Sequence, residues 1–149
     1  MPQTTPPDAI DPSELRRVLV IKLRHHGDVL LSSPVLSVLA REAPQAQIDA
    51  LVYADTAPML ALHPALSQLH VIDRGWKRLG PRRQLAAEWA LLRQLRERRY
   101  DLLVHLTDHP RGAWLARSLR PRWAVAPDQP GGRWWARSFT HRHAVLPRL

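Results

Sequence analysis

Val18-Leu19-Val20-Ile21-Lys22-Leu23-Arg24-His25-His26-Gly27-Asp28-Val29-Leu30-Leu31-Ser32-Ser33-Pro34 contains the transition that decides the fold. Val18 to Ile21 is a continuous apolar run rich in β-branched residues, with no polar alternation. Such a run suits a strand covered on both faces, as in a parallel sheet. It ends in a polar turn, Lys22 to Asp28, where Gly27 permits a tight bend and close approach of a ligand to the backbone. A helix follows over about 29–41, with Leu31, Val35, Val38 and Leu39 at helical spacing. Pro34 fits the first helical position after a Ser33 N-cap, or it kinks a helix that starts near Asp28.

The same alternation continues outward. Ile48 to Tyr53, Leu69 to Ile72 and Leu102 to Leu106 read as strands, and Trp123 to Ala126 as a fifth. Thr56 to Leu62, Pro81 to Arg99 and Gly112 to Leu119 read as helices, the second with Leu85, Trp89, Leu92 and Leu95 on one face. Strand–helix alternation of this kind predicts a Rossmann-like open parallel α/β sheet with helices on both faces. Residues 1–14 read as a flexible, proline-rich tail and 15–126 as the folded unit. Residues 127–149 form a Trp- and Arg-rich segment where the alternation breaks down.

Composition removes several function classes. The 149 residues contain no cysteine, so there is no disulfide framework, thiolate metal site or cysteine nucleophile. No stretch approaches the ~20 apolar residues of a membrane helix. The six glycines, at 27, 75, 80, 112, 131 and 132, cannot form a G-x-G-x-x-G fingerprint or a Walker A loop. The net charge is +9, and all but Lys22 and Lys77 of the 22 basic residues are arginine. That excess reads either as a surface for phosphates or as arginine-rich decoration of ordinary solvent faces.

In open α/β sheets ligands bind beyond the carboxyl ends of the strands. Three polar loops leave such ends: 24–28, 73–83 and 107–111. In the first, the following helix start offers free N–H groups and a positive dipole end. Asp28 reads as an N-cap, or as a general base kept ionised by neighbouring cations. His25-His26 lacks a third ligand at metal-site spacing and reads as loop contacts. Arg111 opens a helix, where its charge opposes the dipole, which favours an anion-facing role. Trp114, one turn on, reads as core. The run from Arg133 to His143 mixes aromatics and arginines. It suits nucleic acid, an anionic membrane surface or, as the preferred reading, packing against a neighbouring domain.

The run Val18–Pro34 resembles the opening of the ADP-heptose:lipopolysaccharide heptosyltransferases, a glycosyltransferase family of GT-B architecture. Its likeness is greatest to the branch that adds the third heptose. Residues 48–60, Ile72-Asp73-Arg74, 111–117 and Leu119-Arg120-Pro121 extend the resemblance over about 17–142. The resemblance implies the N-terminal, acceptor-side half of two Rossmann-like lobes. It implies Asp28 as the catalytic base, deprotonating an acceptor hydroxyl for inverting, metal-free attack on ADP-heptose, with no cofactor. Gly27 would lie at a phosphate-proximal turn, and Lys22, Arg24, His25, Arg74 and Arg111 would be acceptor-binding cations. The partner is then the lipopolysaccharide inner core, in the cytoplasm or at the cytoplasmic face of the inner membrane. Nucleic acid is the less favoured partner, within an alternative reading as a stand-alone polyanion-binding module. The donor lobe lies outside these 149 residues, which implies a fragment, a truncated gene or half of a split enzyme with a donor-lobe partner chain. It also implies no transferase activity by this chain alone.

Overall fold

Val18, Leu19, Val20 and Ile21 are all buried, as a doubly covered strand requires. The computed structural model describes residues 10–23, 33–106, 110–127 and 132–143. Its first strand, β1 (Arg17–Ile21), lies between β2 (Gln47–Tyr53) and β4 (Leu102–His105). β3 (Leu66–Ile72) flanks β2, and β5 (Trp123–Pro127) and β6 (His141–His143) extend the other side. All pairings are parallel and the order is β3-β2-β1-β4-β5-β6. This is the order of a dinucleotide-fold sheet, whose direction of winding reverses between β1 and β4.

Two helical layers follow from that reversal. Helix α1 (Ser33–Glu42) lies on one face, where Leu36 packs with Val18, Val20, Ile48 and Val52. Helices α2 (Pro81–Arg98), α3 (Pro110–Leu119) and α4 (Gly132–Ser138) cover the other, where Leu91, Leu95, Ala113, Leu115 and Trp135 meet Leu19, Ile21 and Leu103. α1 carries Pro34 in its first turn, where a proline costs no helix hydrogen bond. Gly80, at φ +89°, makes the bend into α2, and Pro81 opens that helix.

Several expectations need correction. Residues 132–143 form a helix and a sixth strand, so the folded unit runs beyond 126. Trp135 and Phe139 are buried in this unit's own core, not on a face kept for a neighbour. Residues 1–9 of the expected tail lie outside the described residues; at its end, residues 12–14 make a 3-10 turn capped by Asp11 and held by Gln45. Residues 74–79 are a 3-10 turn and not an open loop, and 57–59 replace the expected short helix. The inward stripe of α2 is Leu91 and Leu95, leaving Leu85 and Trp89 67% and 57% exposed. Trp114 is likewise exposed, at 62%.

A buried polar cluster fastens α2 to the sheet. Asp49, on β2, is fully buried and accepts from Arg98 Nε at 2.8 Å and from Tyr100 Oη at 2.6 Å. Because Tyr100 donates to Asp49, His70 Nε2 must donate to the Tyr100 oxygen, 3.0 Å away. Burial alone would raise the Asp49 carboxyl. Hydrogen bonds from His70, Arg98 and Tyr100 outweigh it and hold the carboxyl at about 2. Burial and the adjacent carboxylate push the Tyr100 hydroxyl well above the ordinary tyrosine range. Next to it, Asp101 accepts from the backbone N–H groups of Arg16 and Arg17 at 2.8 and 3.1 Å, which fixes where β1 begins.

Candidate functional site

The winding reversal places the candidate site at the carboxyl ends of β1 and β4, because crossovers to opposite faces leave a crevice there. The backbone is tied together up to that edge. Lys22 N–H donates to Leu51 O at 3.1 Å, and Leu106 N–H donates to Ile21 O at 2.9 Å. Lys22 Nζ then reaches across the reversal to Leu106 O, at 3.4 Å. Leu23 is buried, so the chain is anchored on both sides of Lys22 before the polar turn.

His105 ends β4 and is fully buried. Its ring stacks on Phe139, centroids 6.0 Å apart, and lies tilted against Trp135 at 5.7 Å. Gly112, in the first turns of α3, sits directly on it. A Cβ there would fall 2.2 Å from His105 Nε2. The glycine is therefore what lets α3 start close above the end of β4. Trp135 of α4 and Phe139 just after it, read from sequence as part of an external surface, are the floor of this arrangement.

Arg111 lies one residue earlier. Its Nη1 is 2.9 Å from Glu88 Oε1 of α2. The pair ties α2 to α3, so the expected anion-facing arginine already holds an intramolecular carboxylate. Arg74 follows β3, two strands from β1, roughly 10 Å away at ordinary strand spacing. Asp73 caps its turn by accepting from Gly75 N–H at 2.7 Å. The side chain of Arg74 lies outside the described residues, as do Arg24, His25, His26, Gly27 and Asp28. Among the described residues no group of three or more His, Asp or Glu is placed to hold a metal ion.

No protein-family model matches the chain. Curated relatives do. The chain is 39% identical over 106 residues to lipopolysaccharide heptosyltransferase 3 of Escherichia coli, covering 71% of this chain and 31% of that protein. The chain belongs to the heptosyltransferase family. The K12 strain's heptosyltransferase 3 gives 38% over 104 residues, and heptosyltransferase 1 of Pseudomonas aeruginosa 34% over 103. The chain spans about three tenths of the length of those relatives. Solved structures agree in fold. A family 9 glycosyl transferase of Veillonella parvula superposes with TM-score 0.77 at 20% identity, over 95% of this chain and 38% of that one. E. coli heptosyltransferase WaaC with ADP-2-deoxy-2-fluoro heptose gives 0.75 at 21% identity, over 89% and 44%.

Of the site residues read from sequence, Lys22 lies at the β1–β4 reversal. Arg111 is at the mouth of the α2–α3 groove, paired with Glu88. His105 was missed. Its signal was a lone imidazole closing an apolar strand, two residues before a polar loop. Asp49 was missed too, although a carboxylate inside Ile48–Tyr53 marks a buried partner that must be sought elsewhere in the chain.

Proposed function

We propose that this chain is the acceptor-binding, N-terminal lobe of an inverting heptosyltransferase that moves heptose from ADP-heptose to the lipopolysaccharide inner core. One observation carries the reading: the segment most like the family, Val18–Pro34, leaves the sheet at the winding reversal, where this fold binds ligands. There Lys22 is held across β1 and β4. In this reading Asp28 is the base. Its carboxylate takes the proton of an acceptor hydroxyl as that oxygen attacks the anomeric carbon and ADP departs from the opposite face. Gly27 keeps the turn open to close approach. Lys22, Arg24, His25 and Arg74 meet the phosphates and acidic sugars of the acceptor. Arg111, paired with Glu88, stands beside them as the guanidinium of the third loop.

The donor nucleotide belongs to a second lobe, outside these residues. The 149-residue polypeptide is therefore expected to lack transferase activity by itself, and a separately supplied donor lobe to restore it. Heptose transfer is measured with ADP-heptose and a heptose-deficient acceptor, with and without that lobe. Turnover by this polypeptide alone would overturn the two-lobe reading. In the reconstituted enzyme, Asp28→Asn is expected to lower kcat by about 10² to 10⁴ with little change in acceptor KM. A comparable loss in KM alone would make Asp28 a binding residue. The lobe is placed in the cytoplasm, at the membrane face where a lipid-anchored acceptor is presented.

A further inference from the structure

The helical face formed by α2, α3 and α4 has a composition that the acceptor site does not use. Its outer surface carries Trp89 on α2, Trp114 on α3 and Trp134 on α4, exposed by 57%, 62% and 39%. Trp114 and Trp134 meet edge to face at 5.6 Å and form a joined pair. Trp89 and Leu85 add two more exposed apolar side chains on α2. Isolated exposed apolar side chains are ordinary, whereas a contiguous patch marks an interaction surface.

The same helices end in arginines. Arg99 closes α2 and Arg120 closes α3, both in the left-handed backbone region (φ +54° and +46°), where glycine is the usual residue. With Arg96 and Arg122 they line a polar groove of about 450 Å³. Arg122 is paired with Glu14, but no carboxylate among the described residues pairs with Arg96, Arg99 or Arg120. Asp101 also lines this groove, and its carboxylate is occupied by the N–H groups of Arg16 and Arg17.

Between α2 and α3 runs a second, mainly apolar groove of about 400 Å³, lined by Leu91, Leu92, Trp114 and Leu115, with the Glu88–Arg111 pair also in its wall. Ser118 lines both grooves, so they are neighbours. The combined feature is an apolar groove with Trp114 in its wall, beside arginines that no described carboxylate pairs. Its chemistry complements an anionic amphiphile: acyl chain along the leucines, phosphate among the guanidinium groups. Nucleic acid would use the arginines but has no part to place in a leucine-lined slot.

We propose that the α2–α3–α4 face docks on an anionic lipid surface, with Trp89, Trp114 and Trp134 at headgroup level and Arg96, Arg99 and Arg120 binding lipid phosphates. The proposal goes beyond the acceptor reading and is tested without lipopolysaccharide, so either can fail while the other stands. The chain is titrated with phosphatidylglycerol–phosphatidylcholine vesicles and with phosphatidylcholine alone. Binding is followed by co-flotation and by quenching of tryptophan emission with brominated lipid. Mixed vesicles are expected to bind and quench, and neutral ones not to.

The triple variant Arg96→Gln, Arg99→Asn, Arg120→Asn is expected to weaken binding on the order of a hundredfold, from about fivefold per cation at an anionic surface. Asparagine is chosen because it tolerates the left-handed region. The double variant Trp89→Gln, Trp114→Gln, exposed positions whose loss should leave the circular dichroism unchanged, is expected to lose most of the quenching. Equal binding to neutral vesicles, no binding, or full binding by the triple variant would each overturn the proposal. So would preferential binding of duplex DNA at equal phosphate. A self-associated dimer that buries the tryptophans and releases vesicles would assign the face to a second copy.

Discussion

Gly112 and Asp49 show how single residues set this fold's limits. A methyl group on Gly112 would overlap the His105 ring, which is itself boxed by Trp135 and Phe139 and cannot retreat freely. Gly112→Ala is therefore expected to destabilise by about 1–3 kcal/mol, measured by urea unfolding. Most exposed helical glycines replaced by alanine would gain stability instead. Asp49 gathers His70, Arg98 and Tyr100 around a fully buried carboxylate. Asp49→Ala leaves Arg98 without its partner and is expected to cost about 3 kcal/mol. The folded-state pKa is depressed, so this contribution is present above the unfolded value of 3.8 and lost as pH falls toward about 2. Unfolding titrations from pH 5 downward should show a steeper decline in the native protein than in Asp49→Asn. Parallel curves would remove Asp49 from the acid response.

At the scale of elements, apolar density along a strand was readable and the orientation of helices was not. β1 and β4 could be read because both faces are covered, leaving an uninterrupted apolar run. The face of α2 read from sequence runs through Leu85, Trp89, Leu92 and Leu95. Packing buries Leu91 and Leu95, keeps Leu92 partly buried at the edge, and leaves Leu85 and Trp89 outside. Leu95→Ala is accordingly expected to cost about 2–5 kcal/mol and Leu85→Ala less than about 0.5, a contrast that denaturant midpoints resolve. β6 was illegible because His141-Arg142-His143 carries no apolar signal. It pairs at the sheet's margin, where charge is an advantage against unwanted strand addition. The helix ends give another expectation: Arg99→Gly and Arg120→Gly should each raise stability by a few tenths to about 1 kcal/mol, because glycine takes positive φ without strain. A loss of stability in thermal melts would show that the arginine side chains contribute packing.

For the whole molecule, the legible part of the candidate site was its address. Alternation placed the polar loops at the carboxyl ends of the strands, while the winding reversal comes from the observed strand order. What could not be read was the counter-charge of Arg111, since Glu88 is 23 residues away and unremarkable on an exposed helix. The arginine excess divides in space. Arg111 lies at the start of α3, on the side of the sheet's carboxyl end where Lys22 also sits, while Arg96, Arg99 and Arg120 gather at the opposite end of the helices. The central place of β1 has a further consequence, for synthesis of the chain. β1 pairs at once with β2, but its other edge waits for residues 102–105, more than 80 positions later. Until those residues emerge from the ribosome, an apolar strand with open hydrogen-bonding groups stays uncovered on one side. The nascent chain therefore has a long interval in which its own centre is its stickiest edge, and a holding chaperone would have most to protect before His105 is made.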